Sequence, residues 1–161
     1  MGTMGDVNRS AGALNAEIEH LRARGHVDEA RILETMAGLS LLDSVPVKTL
    51  RCLAFDVDEN VFPAGTDVVR EGDADGVGLF VVVSGEGLVR IGDRHVGTVR
   101  DGDHFGAVAT IDGGPRTATV SAVTELRCLI LTDAAFHELV HDHPGVGWKV
   151  LVYLAGLVRA S

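Results

Sequence analysis

Residues 103–122 read DHFGAVATIDGGPRTATVSA. Gly106 opens a short apolar run, Gly113-Gly114 resets the chain, and Pro115-Arg116 leads into alternating small residues. Arg116 is the only lysine or arginine between Arg100 and Arg127, at the start of an expected strand of Thr and Ala. Backbone N–H groups after Gly106 would be free at the start of a short helix, which suits an anion. One fixed guanidinium facing a cluster of N–H donors makes a phosphate-sized site. The remaining segments are read as ways of building and closing it.

Upstream of this stretch the pattern is one of short strands. They are expected at 55–62, 67–70, 79–83, 88–91 and 95–99, with Pro63-Ala64-Gly65, Glu71-Gly72-Asp73 and Gly92-Asp93 as turns. Runs at 116–123 and 125–131 complete the set. Close spacing with Gly or Asp turns predicts a mainly β fold, a small antiparallel jelly-roll barrel with flanking helices. Ahead of the barrel, Leu14, Ile18 and Leu21 keep helical spacing, and Gly25 ends that helix. Asp28 is the expected cap of a second helix carrying Ile32, Leu33 and Met36. Pro46 opens a third with Leu50 and Leu53. The expected organisation is a disordered 1–10, a helical segment 11–45, the barrel at 46–144 and an apolar helix at 145–161.

That last helix follows one capped by Thr132-Asp133 and ending at His143-Pro144. It is apolar nearly all round, with Trp148, Val150, Leu151, Val152, Tyr153, Leu154 and Leu157, so it is expected to lie across the barrel mouth or to pair with a second copy.

Composition narrows the function. Hydrophobic residues make up 46% of the chain and aromatics only 4%, so the core must be mostly Val, Leu, Ile and Ala. The net charge of −9, with Lys48 and Lys149 the only lysines, leaves no basic face for nucleic acid. Cys52 and Cys128 sit in apolar runs and are expected to be reduced core residues. No secretory leader is evident, Asp6 stands where myristoylation needs Ser or Thr, and the C-terminal run is too short to span a bilayer. A soluble cytoplasmic protein with neither a membrane nor a nucleic-acid partner is expected.

The run His137-Glu138-Leu139-Val140-His141 matches H-E-x-x-H, a zinc-protease spacing. Phe136, Leu139 and Val140 must face the core, however, which turns both histidines toward solvent, and no downstream ligand completes the set. No catalytic residue and no metal ligand is assigned, and an enzyme is not expected.

Three segments in order, AGLSLLDSVPVKTLRCLA, PAGTDVVREGDADGVGLFVVVSGEGLVRI and GDHFGAVATIDGGPRTATVSA, carry a family resemblance. Residues 36–144 resemble the cyclic nucleotide-binding domain of catabolite-activator-type regulators, protein kinase regulatory subunits and gated channels. The last segment is similar to that family's phosphate-binding cassette, F-G-E-x-A followed by P-R-[AST]-A-T. The resemblance implies that Arg116 grips a cyclic phosphate. It places Phe105, Gly106, Ala107 and Val108 on the first half of the cassette, the last three supplying backbone N–H groups. Thr117 falls where a hydroxyl goes with guanine-containing ligands, and Gly65, Gly72 and Gly85 fall on the turn glycines. Trp148 or Tyr153 of the final helix would stack on the base, or that helix would form a dimer seam.

One position departs from the pattern. Ala107 replaces the cassette Glu, whose carboxylate accepts the ribose 2′-hydroxyl in a bond worth about 1.5–3 kcal/mol. Its loss predicts cyclic nucleotide binding weaker by about one to two orders of magnitude. The expected function is a stand-alone regulatory domain that binds cAMP or cGMP and signals to a partner protein, with no cofactor. The alternative is a degenerate module acting in protein interaction or oligomerisation without a ligand. The resemblance to transcription regulators ends with the helix after the barrel, and no helix-turn-helix is expected.

Overall fold

The structure, a computed structural model, describes residues 11–74 and 78–160. The disorder expected at 1–10, and residue 161 of the last segment, lie outside the described residues. Contacts divide the chain into two compact units. One comprises 11–56 with Leu139–Tyr153, and the other Val57–Glu138 with the residues from Leu154 onward.

The helical unit begins with α1 (Ala11–Ala23) and α2 (Val27–Ala37), which contact each other across the turn at Gly25. A 3₁₀ turn (Ser40–Leu42) leads to α3 (Val47–Leu53), with Pro46 as its N-cap. One face of each element is buried through Ile18, Leu21, Leu33, Met36, Leu42 and Leu50. Each such side chain contributes roughly 1.5–3 kcal/mol by leaving water. Asp28 does not cap α2. The N-cap is His26, set by the reversal at Gly25, and Asp28 lies in the first turn, where a carboxylate still suits the helix dipole. Arg51 of α3 reaches Glu17 of α1 at 2.8 Å. Cys52 is exposed, contrary to expectation, because α3 turns Leu50 and Leu53 inward.

The sheet unit holds eight strands among the described residues: β1 (Asp58–Phe62), β2 (Asp67–Val69), β3 (Leu79–Ser84), β4 (Gly87–Ile91), β5 (Arg94–Val99), β6 (His104–Phe105), β7 (Thr119–Ala122) and β8 (Leu126–Leu131). They form two antiparallel four-stranded sheets ordered β1-β8-β3-β6 and β2-β7-β4-β5. Alternate residues Phe80 and Val82, Val120 and Ala122, and Leu126, Cys128 and Ile130 meet in one core. Burial pushes the Cys128 thiol up to about 12, so this cysteine is the inert core residue expected.

The strand boundaries shift in two places. Phe55 lies in the turn after α3, and β1 starts only at Asp58. Arg116 does not begin β7; it precedes it, because its main chain is bonded elsewhere. Its N–H donates to Asp73 O at 2.9 Å and its carbonyl accepts from Gly72 N at 2.8 Å.

A six-residue helix, α4 (Ala107–Asp112), follows β6. After β8, α5 (Asp133–Asp142) is capped as expected by the Thr132 hydroxyl, which accepts the Ala135 N–H at 3.1 Å. The last helix, α6 (Pro144–Ala160), buries Val146 and Val150. Among the described residues no helix is long and apolar enough to cross a membrane.

Candidate functional site

The site grows from a reversal at Gly106. Its φ of +90° turns the chain from β6 into α4, and a Cβ there would stand 2.4 Å from Arg116 Nη1. Glycine is required both by the backbone and by the approach of the guanidinium. Gly78, at the head of β3, is tighter still, since a Cβ would lie 1.8 Å from the Leu131 carbonyl oxygen.

These two glycines hold Arg116 through their carbonyls. Nη2 donates to Gly78 O at 2.9 Å and Nη1 to Gly106 O at 3.2 Å. The guanidinium lies 5.7 Å from the centre of the Phe80 ring, which stacks on Phe105 at 4.9 Å. Arg116 is only 5% exposed. Burial lowers its basicity, and the nearby charge of Asp133 partly offsets that. Among the described residues no carboxylate forms an ion pair with it. Two carbonyls occupy two of the five N–H donors of a guanidinium, which leaves the cation with capacity for an anion.

The amides of Ala107 and Val108 open α4, where no preceding turn supplies a carbonyl. Ala107 itself is buried, at 3% exposure. Asp112, an acid in the same segment, accepts the Gly114 N–H at 2.8 Å and shapes the loop before Pro115.

The structure thus brings Gly106, Ala107, Val108 and Arg116 to one corner of the sheet unit. The Phe105 ring is in the core, where it supports Phe80 from behind. Thr117 is exposed in the bend before β7. Trp148 and Tyr153 belong to the helical unit; Trp148 is 67% exposed and Tyr153 half-buried. The turn glycines Gly65, Gly72 and Gly85 all have positive φ.

Each histidine of the H-E-x-x-H run has a neighbour of its own. His137 Nε2 lies 2.8 Å from the Thr110 carbonyl, and His141 Nδ1 lies 3.1 Å from Asp142 Oδ1. Sequence reasoning missed Phe80, Gly78 and Asp133 as neighbours of Arg116. The signal for Phe80 was its place on the inward alternation of β3, beside Val82.

Residues 59–143 match a family described as "Cyclic nucleotide-binding domain". A CRP-like cAMP-activated global transcriptional regulator from Mycobacterium tuberculosis is 27% identical over 135 residues, 80% of this chain and 59% of the regulator. A cyclic nucleotide-gated potassium channel from Rhizobium etli is 31% identical over 134 residues, covering 77% of this chain and 36% of the channel. Among solved structures, cAMP-bound PfPKA-R (141–441) superposes with a TM-score of 0.75 at 17% identity, over 83% of this chain and 46% of that one. The chain therefore spans about three fifths or less of each of these three relatives.

Proposed function

From the premise that this chain belongs to the cyclic nucleotide-binding domain family, we propose that it is a regulatory, non-catalytic domain whose ligand is cAMP or cGMP. The observation that carries this reading is the buried Arg116 guanidinium, held in place by two carbonyls and paired to no carboxylate among the described residues. A cyclic phosphate would take its remaining N–H donors together with the amides of Ala107 and Val108. Thr117 beside it would meet the base of a guanine-containing ligand, and Phe105 would keep the corner rigid through Phe80. The relatives named as cAMP-activated and cyclic nucleotide-gated support the ligand class.

The output would pass to a partner protein, or to a second copy through α6. Trp148, Leu151, Val152, Ala155 and Val158 are exposed; Trp148, Val152, Ala155 and Val158 recur at intervals of three or four residues with Leu151 beside them, forming one apolar stripe on that helix. Trp148 or Tyr153 would alternatively close over the base.

Ala107 favours a second reading, a module that keeps the barrel and no longer recognises a nucleotide. Thermal unfolding with cAMP and with cGMP separates the two. A ligand at about a hundredfold excess over Kd stabilises by about 2.7 kcal/mol. The sensor reading expects a shift for the natural chain, its loss in Arg116→Ala, and roughly tenfold tighter binding in Ala107→Glu. A response in Ala107→Glu alone would establish the second reading, and no response in any variant would remove the nucleotide.

A further inference from the structure

His137 has a bonding partner that its sequence motif does not announce. Its Nε2 lies 2.8 Å from the carbonyl oxygen of Thr110. A carbonyl only accepts, so Nε2 carries the proton and donates. Thr110 is buried in α4, and it faces the Arg116 corner with its other two polar groups. Its N–H donates to Gly106 O at 3.2 Å and its Oγ1 donates to the same oxygen at 2.9 Å. Arg116 Nη1 reaches that oxygen too, at 3.2 Å. One carbonyl with two lone pairs therefore serves three donors, and a change in one is felt by the other two.

Helix α5 meets this corner by a second route. Asp133, its first residue, carries the charge that acts on the Arg116 guanidinium. An anion drawn to Arg116 would bring a second negative charge to a guanidinium that Asp133 already influences.

We propose that His137 is a positioning residue that couples the Arg116 guanidinium to α5, through the Gly106 carbonyl and Thr110. This rests on the reading of Arg116 as an anion site and states how occupancy of that site leaves it. An anion on the remaining N–H donors of Arg116 draws the guanidinium's charge toward itself and weakens its hold on Gly106 O. The two Thr110 donors then take a larger share of that oxygen, α4 tightens, and the Thr110 carbonyl shifts against His137. Couplings carried by networks of this kind alter an equilibrium by roughly two- to thirtyfold.

The test is a double-mutant cycle on the full chain without ligand, read by hydrogen exchange of the Phe136, His137 and Glu138 amides. Arg116→Lys keeps the charge and loses the planar fork; Thr110→Val removes only the hydroxyl, and serves if Arg116→Lys fails to fold. Each is expected to change exchange at these amides severalfold in the natural background. The same change is expected in His137→Gln, whose amide nitrogen still donates. It should vanish in His137→Leu. Effects of Arg116→Lys or Thr110→Val that simply add to those of His137→Leu would overturn the proposal. A second arm adds cAMP, with binding followed by calorimetry. Binding that alters exchange in the natural chain and persists in His137→Leu without altering it supports the relay, and an undiminished response in His137→Leu refutes it. Absence of cAMP binding to the natural chain would remove the nucleotide reading, while the ligand-free cycle would still decide the coupling.

Discussion

The segment from Phe105 to Arg116 and the helix Pro144–Ala160 are the two parts of the chain with most to offer a ligand or partner, and they are built in opposite ways. The first packs a cation, two positive-φ glycines and a six-residue helix into a corner where two carbonyls fix the guanidinium and leave its other donors for a ligand. The second is seventeen residues of regular helix that bury Val146 and Val150 and leave Trp148, Leu151, Val152 and Val158 at the surface. In the corner, geometry is over-determined, so a single atom added in the wrong place breaks it. On the helix, geometry is ordinary and only the chemistry of the exposed face matters. Substitutions in the corner should therefore cost stability, and substitutions on the helix should change association while the fold persists.

The sharpest way to break this contrast is Gly78→Ala. Its φ of +135° and the approach of the Leu131 carbonyl, 1.8 Å from a Cβ, leave no relaxation short of moving β3 away from β8. The expected loss is about 3 kcal/mol or more, measured by urea unfolding. A loss under 1 kcal/mol would show that the corner is looser than its contacts imply. Gly156→Ala in α6 is the control. Nothing lies within 4 Å of its Cβ, and helix propensity predicts a gain of up to about 1 kcal/mol.

The helix is tested by Trp148→Glu with Val152→Glu, two exposed positions on the same stripe. Sedimentation equilibrium of the natural chain is expected to give twice the monomer mass at micromolar concentration. The double variant should return the monomer mass with urea stability changed by less than about 0.5 kcal/mol. A monomeric natural chain would leave the stripe without its proposed second copy.

The corner was also the more legible region in the sequence. A lone arginine after Gly-Gly-Pro, facing a glycine that opens a short helix, is a local pattern, and backbone geometry followed from it. What the pattern could not show was tertiary. The small residues after Arg116 predict a strand that begins there, but its main chain bonds Asp73 and Gly72, more than forty positions back, and β7 begins only at Thr119. Cys52 lay in an apolar run, and only the docking of Leu50 and Leu53 decides that it faces outward. The spacing of His137 to His141 is a side-chain pattern, yet the partner of His137 is a carbonyl twenty-seven residues away that no such pattern marks. The apolar character of α6 was plain from its residues, while the identity of what it meets is a property of a surface and left no local sign.

The smallest expected effect sharpens the comparison through acidity. His104 is buried on β6, immediately before the cassette, and burial lowers its pKa below the ordinary 6.5 while Asp103 pulls partly the other way. In the unfolded chain His104 protonates near 6.5; in the folded chain it resists until lower pH. Below about pH 6.5 the unfolded state therefore binds more protons, and folding stability falls as pH decreases. This one group contributes at most about 1.4 kcal/mol per pH unit, through the window between 6.5 and its lowered folded value. Urea unfolding between pH 7 and pH 5 is expected to show this slope in the natural chain and a shallower one in His104→Gln. An unchanged slope would mean that His104 charges as freely in the fold as out of it. Association through α6 should not follow the same curve, because Trp148, Leu151, Val152 and Val158 carry no titratable group. A dimer mass that survives at pH values where the cassette strand has begun to lose stability would separate the two regions experimentally, and a mass that falls in parallel would mean that α6 pairs only while the corner is intact.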